Sequence, residues 1–157
     1  MTVVDGTAPS QTDAISLDID LKHAPEKMGK AITDPILLSK WLLPFLNMGL
    51  KAGSSFTLTA PAQPEWEGPV YCRFVEIDVR KKLSYSWVVG DIDTMVTFTL
   101  TPTKTGTRLS LVQTGFKPEQ KRNFGGARYG WKMFGAKLVD LMTRRPDGRF
   151  KSKPHLN

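Results

Sequence analysis

Hydrophobic and polar residues alternate strictly along AISLDIDL, where Ile15, Leu17, Ile19 and Leu21 are separated by Ser16, Asp18 and Asp20. A period of two predicts a strand with one buried face. The next segment, APEKMGKAITDPILLSKWLLPFL, shifts to helical spacing. Pro25 and Glu26 suit a first helical turn, with Met28, Ala31 and Ile32 on one side. Asp34 can cap a second short helix that has Pro35 at its first position, carries Leu38, Trp41 and Leu42 as its apolar stripe and ends before Pro44. From Gly53 the alternation returns. Phe56 and Leu58 alternate with threonines, EWEGPVYCRFVEID reads as a longer strand broken near Gly68-Pro69, and three more strands follow. Their apolar positions are Leu83, Tyr85, Trp87 and Val89, then Val96, Phe98 and Leu100, then Leu109 and Leu111, with Gln113 next on that face. Short turns at 79–81, 90–93 and 104–106 imply an antiparallel meander. The last element, about 118–143, spaces Phe124, Ala127, Trp131, Phe134, Leu138 and Leu141 as one stripe of an amphipathic helix. Gly125, Gly126, Gly130 and Gly135 conflict with it, since each costs up to ~1 kcal/mol against Ala in a helix. Either the helix is irregular before Arg128 or something approaches its backbone closely.

The order β, α, α, five strands, α gives an α+β domain over 14–143. Residues 1–13 read as a flexible leader and 144–157 as a basic tail. The apolar stripe of the long helix must be buried, and the sheet is the surface large enough to cover it. Six antiparallel strands coil, because every strand twists in the same sense. A curved sheet wrapped around a straight helix is hard to fill at core density, which leaves a tapered cavity. The side chains expected to line it are Trp41, Phe45, Met48, Tyr85, Trp87, Phe98, Phe116, Trp131 and Phe134, joined by Tyr71 and Trp66 from the broken strand. Gln113 falls on the inward face, where an unpartnered amide costs ~1–3 kcal/mol. A ligand or a pocket water would satisfy it, and a local bulge would instead turn it outward.

Composition narrows the function. Charged residues make up 24% of the 157, the net charge is +7, and much of the excess lies after Lys117. No nucleic-acid motif accompanies that charge, so a solvated helix face is expected rather than a nucleic-acid partner. No apolar run approaches the ~18 residues of a membrane span. The start of the chain lacks the basic and apolar regions of a secretory signal, and the single cysteine, Cys72, suits a reducing compartment. A cytoplasmic protein is expected. No catalytic signature, phosphate loop or metal cluster is visible, so neither a metal nor another cofactor is expected. The acid–base candidates are Glu65, Glu67 and Asp91 near predicted strand ends, with Tyr71 or Tyr85 as proton donors.

Several stretches together resemble one family. They are Thr33-Asp34-Pro35 before Leu38 and Trp41, Val75-Glu76-Ile77-Asp78 before Leu83, Tyr85 and Trp87, and Thr97-Phe98 with Leu100-Thr101-Pro102. Gly106-Thr107-Arg108-Leu109, Thr114-Gly115-Phe116 and Gly130-Trp131 complete the set. This pattern, over about 14–143, resembles the bacterial activator-of-heat-shock-protein-90-ATPase-like proteins of the START-like helix-grip superfamily. One departure is Leu42, where relatives commonly carry a second aromatic. The resemblance implies a β-α-α-β5-α helix grip with a hydrophobic pocket. It also implies a role like that of superfamily members that bind lipids, sterols, polyketides or plant hormones, some of which are cyclases.

The leading expectation is therefore a non-catalytic protein that holds a small hydrophobic or amphipathic ligand, with Gln113 and Tyr85 orienting a polar group. The alternatives are a polyketide-type cyclase or hydrolase acting on a hydrophobic carbonyl compound, and an interaction module for a chaperone. Two protein partners stay open at this point, a second copy of the chain and a chaperone.

Overall fold

In the computed structural model the described residues are 2–7, 13–42, 45–46, 50–59 and 69–143. They form an α+β helix grip with eight antiparallel strands. These are β1 (Thr2–Asp5), β2 (Ala14–Leu21), β3 (Phe45–Leu46), β4 (Ser55–Leu58), β5 (Val70–Asp78), β6 (Lys82–Val89), β7 (Ile92–Pro102) and β8 (Thr107–Thr114). The helices are α1 (Pro25–Thr33), α2 (Pro35–Trp41) and α3 (Lys121–Thr143), the last entered through a 3-10 turn, Pro118–Gln120. The sheet order is β1-β2-β8-β7-β6-β5-β4-β3. Tail, Trp66 and Met48 all lie outside the described residues, as does the proposed break at Gly68.

The strands sit where alternation placed them. In β2 the odd positions Ile15 to Leu21 are buried and the even ones face out. The sheet, however, has two strands more than the six expected. β3 is a two-residue edge, Phe45 opposite Leu58 and Leu46 opposite Thr57. β1 replaces part of the expected loose leader, and what holds it is non-local. It pairs with β2 from Thr2 opposite Asp20 to Asp5 opposite Leu17. The ladder is prolonged by the Gly6 amide, which donates to the Ser16 carbonyl at 2.8 Å, and by the Ser16 amide, which donates to Thr7 Oγ1 at 3.0 Å. Asp5 then ties the strand to α3, with Oδ2 2.6 Å from Arg128 Nε and 3.0 Å from Lys132 Nζ. Arg128 and Lys132 are one turn apart, so a single carboxylate meets both.

β5 contains a bulge. Phe74 pairs with Tyr85 and Glu76 with Ser84, which leaves Val75 as the extra residue. Unbroken alternation from Cys72 and Phe74 would turn Glu76 and Asp78 inward. The extra residue resets the phase, so Ile77 meets Leu83 on the core side and Val75 is exposed.

The two short helices are fixed by local chemistry. Asp34 Oδ1 accepts from the Ile36 amide at 2.9 Å, which caps α2. Trp41 Nε1 donates to the Ala31 carbonyl at 2.7 Å and locks α2 onto α1. α3 is regular throughout and packs closest on β1, β2 and α2. Gly135 explains one of its four glycines: a Cβ there would lie 3.2 Å from both Ile19 Cδ1 and Val3 Cγ2. Gly125 and Gly126 face open space. At the far end, His23 Nε2 donates to the Met142 carbonyl at 2.5 Å, closing the last turn of α3 against the end of β2.

Candidate functional site

The inward positions of β4 to β8 and the stripe of α3 meet in one aromatic interior. Trp41, Tyr85, Trp87, Phe98, Phe116, Trp131 and Phe134 are each 8% exposed or less. Phe45 lies in β3, but its side chain is outside the described set. Tyr71 is not part of this interior: in β5 it alternates against the buried Val70 and Cys72 and is 57% exposed. Asp91 is likewise exposed, in the turn between β6 and β7, and Glu65 and Glu67 lie outside the described residues.

The rings expected to border open space beneath α3 touch one another. Trp131 lies 5.2 Å from Trp87, 6.1 Å from Phe98 and 5.7 Å from Phe134, centroid to centroid. Trp41 meets Phe98 edge-on at 6.3 Å. Edge-to-face and tilted contacts at these distances are favourable packing in themselves. Here the described rings pack on one another. Phe116 belongs to a separate pair, perpendicular to Phe124 at 5.4 Å, where β8 turns into the final helix.

Gln113 is inward, as its alternation predicts, and its partners come from the protein. Its Oε1 accepts from Trp131 Nε1 at 2.6 Å, and its Nε2 donates to Thr94 Oγ1 at 2.8 Å. Thr94 Oγ1 in turn donates to the Trp87 carbonyl at 2.9 Å. This chain links α3, β8, β7 and β6 inside the core, and the ligand or water expected for Gln113 is not needed. Thr94 escaped the sequence reading because threonines alternate outward through most of β7.

Tyr85 is different. It is 3% exposed and ringed by Phe56 at 5.2 Å, Phe74 at 5.8 Å, Phe98 at 6.0 Å and Trp87 at 6.5 Å. Among the described residues its hydroxyl makes no hydrogen bond, whereas Trp41, Thr94, Gln113 and Trp131 are each partnered. Burial pushes the phenol well above its ordinary range, and the nearby Cys72 adds to the shift. Cys72, opposite Trp87 in the ladder, is itself pushed up to about 12 by burial. Both groups therefore stay protonated at neutral pH. Phe56, Phe74 and Cys72 complete this cluster. Their alternation on β4 and β5 was visible in the sequence, but nothing there marked them as neighbours of one hydroxyl.

The backbone of α3 lies nearest β1, β2 and α2, while its Trp131 reaches Trp87 and Phe98, the two rings that also border Tyr85. Among the described residues no group of three His, Cys, Asp or Glu side chains converges as a metal site would require. None of their helices is long and apolar enough to cross a membrane.

Comparison with known proteins agrees with this architecture. A model of the family described as activator of Hsp90 ATPase homolog 1-like protein matches residues 22–143. A solved Mesorhizobium loti protein is 36% identical, with 82% of this chain and 96% of that one aligned at a TM-score of 0.75. A Chromobacterium violaceum protein is 26% identical over 83% of this chain and 97% of its own, at 0.67. A Mycobacterium smegmatis protein, 18% identical over 92% and 99%, shares the fold at 0.77. No curated protein matches the chain significantly. With the family model covering most of the helix grip, and a solved relative more than one-third identical across it, this chain belongs to the activator of Hsp90 ATPase homolog 1-like family.

Proposed function

We propose that the chain binds a small apolar ligand in the half of the grip built from β4, β5 and β6, without catalysing a reaction. The observation that carries this reading is the buried hydroxyl of Tyr85, which has no partner among the described residues and lies inside a ring of aromatic side chains. A buried donor left unmade costs ~1–3 kcal/mol. Sites that carry such a cost are commonly ones that a ligand completes. Affinity would come from burial of apolar surface, at ~25 cal/mol per Å² before association costs. The site proposed from the sequence accordingly shifts. Tyr85, Trp87 and Phe98 stay in it, Phe56, Phe74 and Cys72 join, and Trp131, Gln113 and Trp41 support it from behind as closed packing.

A cyclase or hydrolase would need a second open polar group beside Tyr85. Gln113 and Thr94 are committed to each other, to Trp131 and to the Trp87 carbonyl. The interaction-module reading would rest on Tyr129 and Met133, exposed one turn apart on α3.

Native mass spectrometry of freshly purified protein tests the proposal. A population heavier than the chain by a few hundred daltons, lost on organic extraction, is expected. A bare chain that also takes up no apolar probe on titration would contradict the ligand role, and a co-purifying protein would favour the partner reading.

A further inference from the structure

We infer that one end of the grip docks on an anionic lipid surface. The inference uses charged groups outside the interior and does not depend on the ligand role proposed above.

That end is assembled from segments far apart in sequence. β2 finishes with Leu21 opposite Thr107, the first residue of β8, so the β7–β8 turn lies beside the link from β2 to α1. A Cβ on Gly106 would overlap the Leu21 carbonyl, and one on Gly29 would overlap the Val79 carbonyl. Glycine at these two positions lets the β7–β8 turn press on the link and α1 press on the β5–β6 turn. The Leu100 amide donates to the Lys81 carbonyl at 2.7 Å, which ties the β5–β6 turn to β7. The Thr107 hydroxyl donates to the His23 carbonyl at 2.6 Å, and His23 in turn holds the Met142 carbonyl, so α3 finishes here as well.

Exposed cations collect on these segments. They are Lys22 in the link, Lys27 and Lys30 on α1, Arg80 and Lys81 in the β5–β6 turn, and Lys104 in the β7–β8 turn. Among the described residues none of them is in an ion pair. The cations just inside the strands are paired instead, Lys82 with Glu76 and Arg108 with Asp20. The acids at this end are Glu26, Asp78 and the half-buried Asp140. The sequence that continues from Thr143 adds Arg144, Arg145, Arg149, Lys151 and Lys153 against Asp147. A cluster of one sign, built on the fold and prolonged by the chain, attracts a surface of the opposite sign.

The chemistry of the end fits lipid headgroups better than a nucleic acid. All the exposed cations on the fold there are lysines except Arg80. Lysine is a point charge on a flexible stem, suited to a diffuse anionic layer, whereas the planar fork of arginine suits a fixed phosphate. Aromatic platforms for stacking bases are distant. The exposed aromatic residues among the described ones are Tyr71 and Tyr129. Tyr71 lies at the opposite end of β5, ~23 Å from Asp78 along the strand. Tyr129 precedes Thr143 by ~21 Å along α3. In the continuing sequence Phe150 stands between Arg149 and Lys151. An aromatic flanked by cations is the pairing that seats basic segments at a bilayer interface.

The test is flotation of the full chain with vesicles of phosphatidylcholine alone and of phosphatidylcholine with about 30% phosphatidylserine, at ~0.1 M salt. The serine vesicles should capture about tenfold more protein and should release it at ~0.5 M salt, where screening shortens the reach of each charge. Lys22→Gln/Lys81→Gln/Lys104→Gln should lower that capture about tenfold. Lys51→Gln/Lys117→Gln/Lys121→Gln removes the same charge from positions away from this end and should lower it far less. Thermal melts confirm that both variants fold. Equal capture by the two lipids, or capture by neither, overturns the proposal. An equal loss in the two variants also overturns it, because net charge and not this end would then be responsible. Tighter binding of a short DNA duplex than of the serine vesicles at the same salt would assign the end to nucleic acid instead.

Discussion

Tyr85 and Asp5 are two polar groups that the fold treats in opposite ways, and each predicts a sign. The Tyr85 hydroxyl is buried and has no hydrogen-bond partner among the described residues, so removing it relieves a desolvation cost and forfeits no bond to them. Tyr85→Phe should raise the stability of the ligand-free protein by about 1 kcal/mol, read from urea unfolding. A loss of similar size would mean that the hydroxyl is satisfied, by a buried water for example, and would remove the reason for a ligand there. At Asp5, burial by itself would raise the carboxyl pKa. The hydrogen bonds from Arg128, the Thr7 amide and Lys132 outweigh burial and hold the group well below the usual carboxylate range. A folded-state pKa below the unfolded value gives stability that is fully present above the unfolded pKa, near 4, and is lost as pH falls towards the folded one. Asp5→Asn should therefore cost about 1 kcal/mol at pH 7, discounted for the exposure of Lys132. That gap should shrink in unfolding curves taken below about pH 4. A gap independent of pH would show that the ion pairs contribute nothing.

Among the elements, α3 shows how far a pattern in the sequence carries. Its stripe from Phe124 to Leu141 was legible because helical spacing repeats over about five turns, and no local signal opposed it except the glycines. The structure separates those glycines by environment. At Gly126 an added methyl meets open space, so Gly126→Ala should stabilise the helix by ~0.5–1 kcal/mol. At Gly135 the same methyl presses on Ile19 and Val3 at 3.2 Å, so Gly135→Ala should gain less or lose stability outright. Thermal melts of the two variants check this, and equal gains would contradict the close packing of β1 against α3. The strands were legible for the same reason as the helix, a sustained period. β1 was not, because TVVD sets Val3 and Val4 side by side and shows no alternation, unlike the equally short β4. Its ladder with β2 and its tie through Asp5 to α3 join residues far apart in sequence. The bulge at Val75 was equally hidden, since it appears only as a shift of register against β6.

Taken together, the described rings form one aromatic interior, in which Trp87 and Phe98 touch both Trp131 and Tyr85. Trp131 is further held by the Gln113–Thr94 network, so large aromatic residues alone were a poor guide to a pocket. Rings that fill a core and rings that line a site follow the same alternation. What tells them apart is whether their polar neighbours have partners, and that depends on contacts across strands. Gln113 looked like the group awaiting a ligand and is satisfied by Trp131. Tyr85 looked like one aromatic among many, and its hydroxyl has no partner among the described residues. Binding is therefore expected beside Tyr85 on β4–β6 and away from the outer face of α3. Two-dimensional NMR of the isotope-labelled chain titrated with 1-tetralone tests that placement directly. Shifts should concentrate on Phe56, Cys72, Phe74, Tyr85 and Trp87; shifts centred on Tyr129 and Met133, or no shifts at saturating probe, would contradict it.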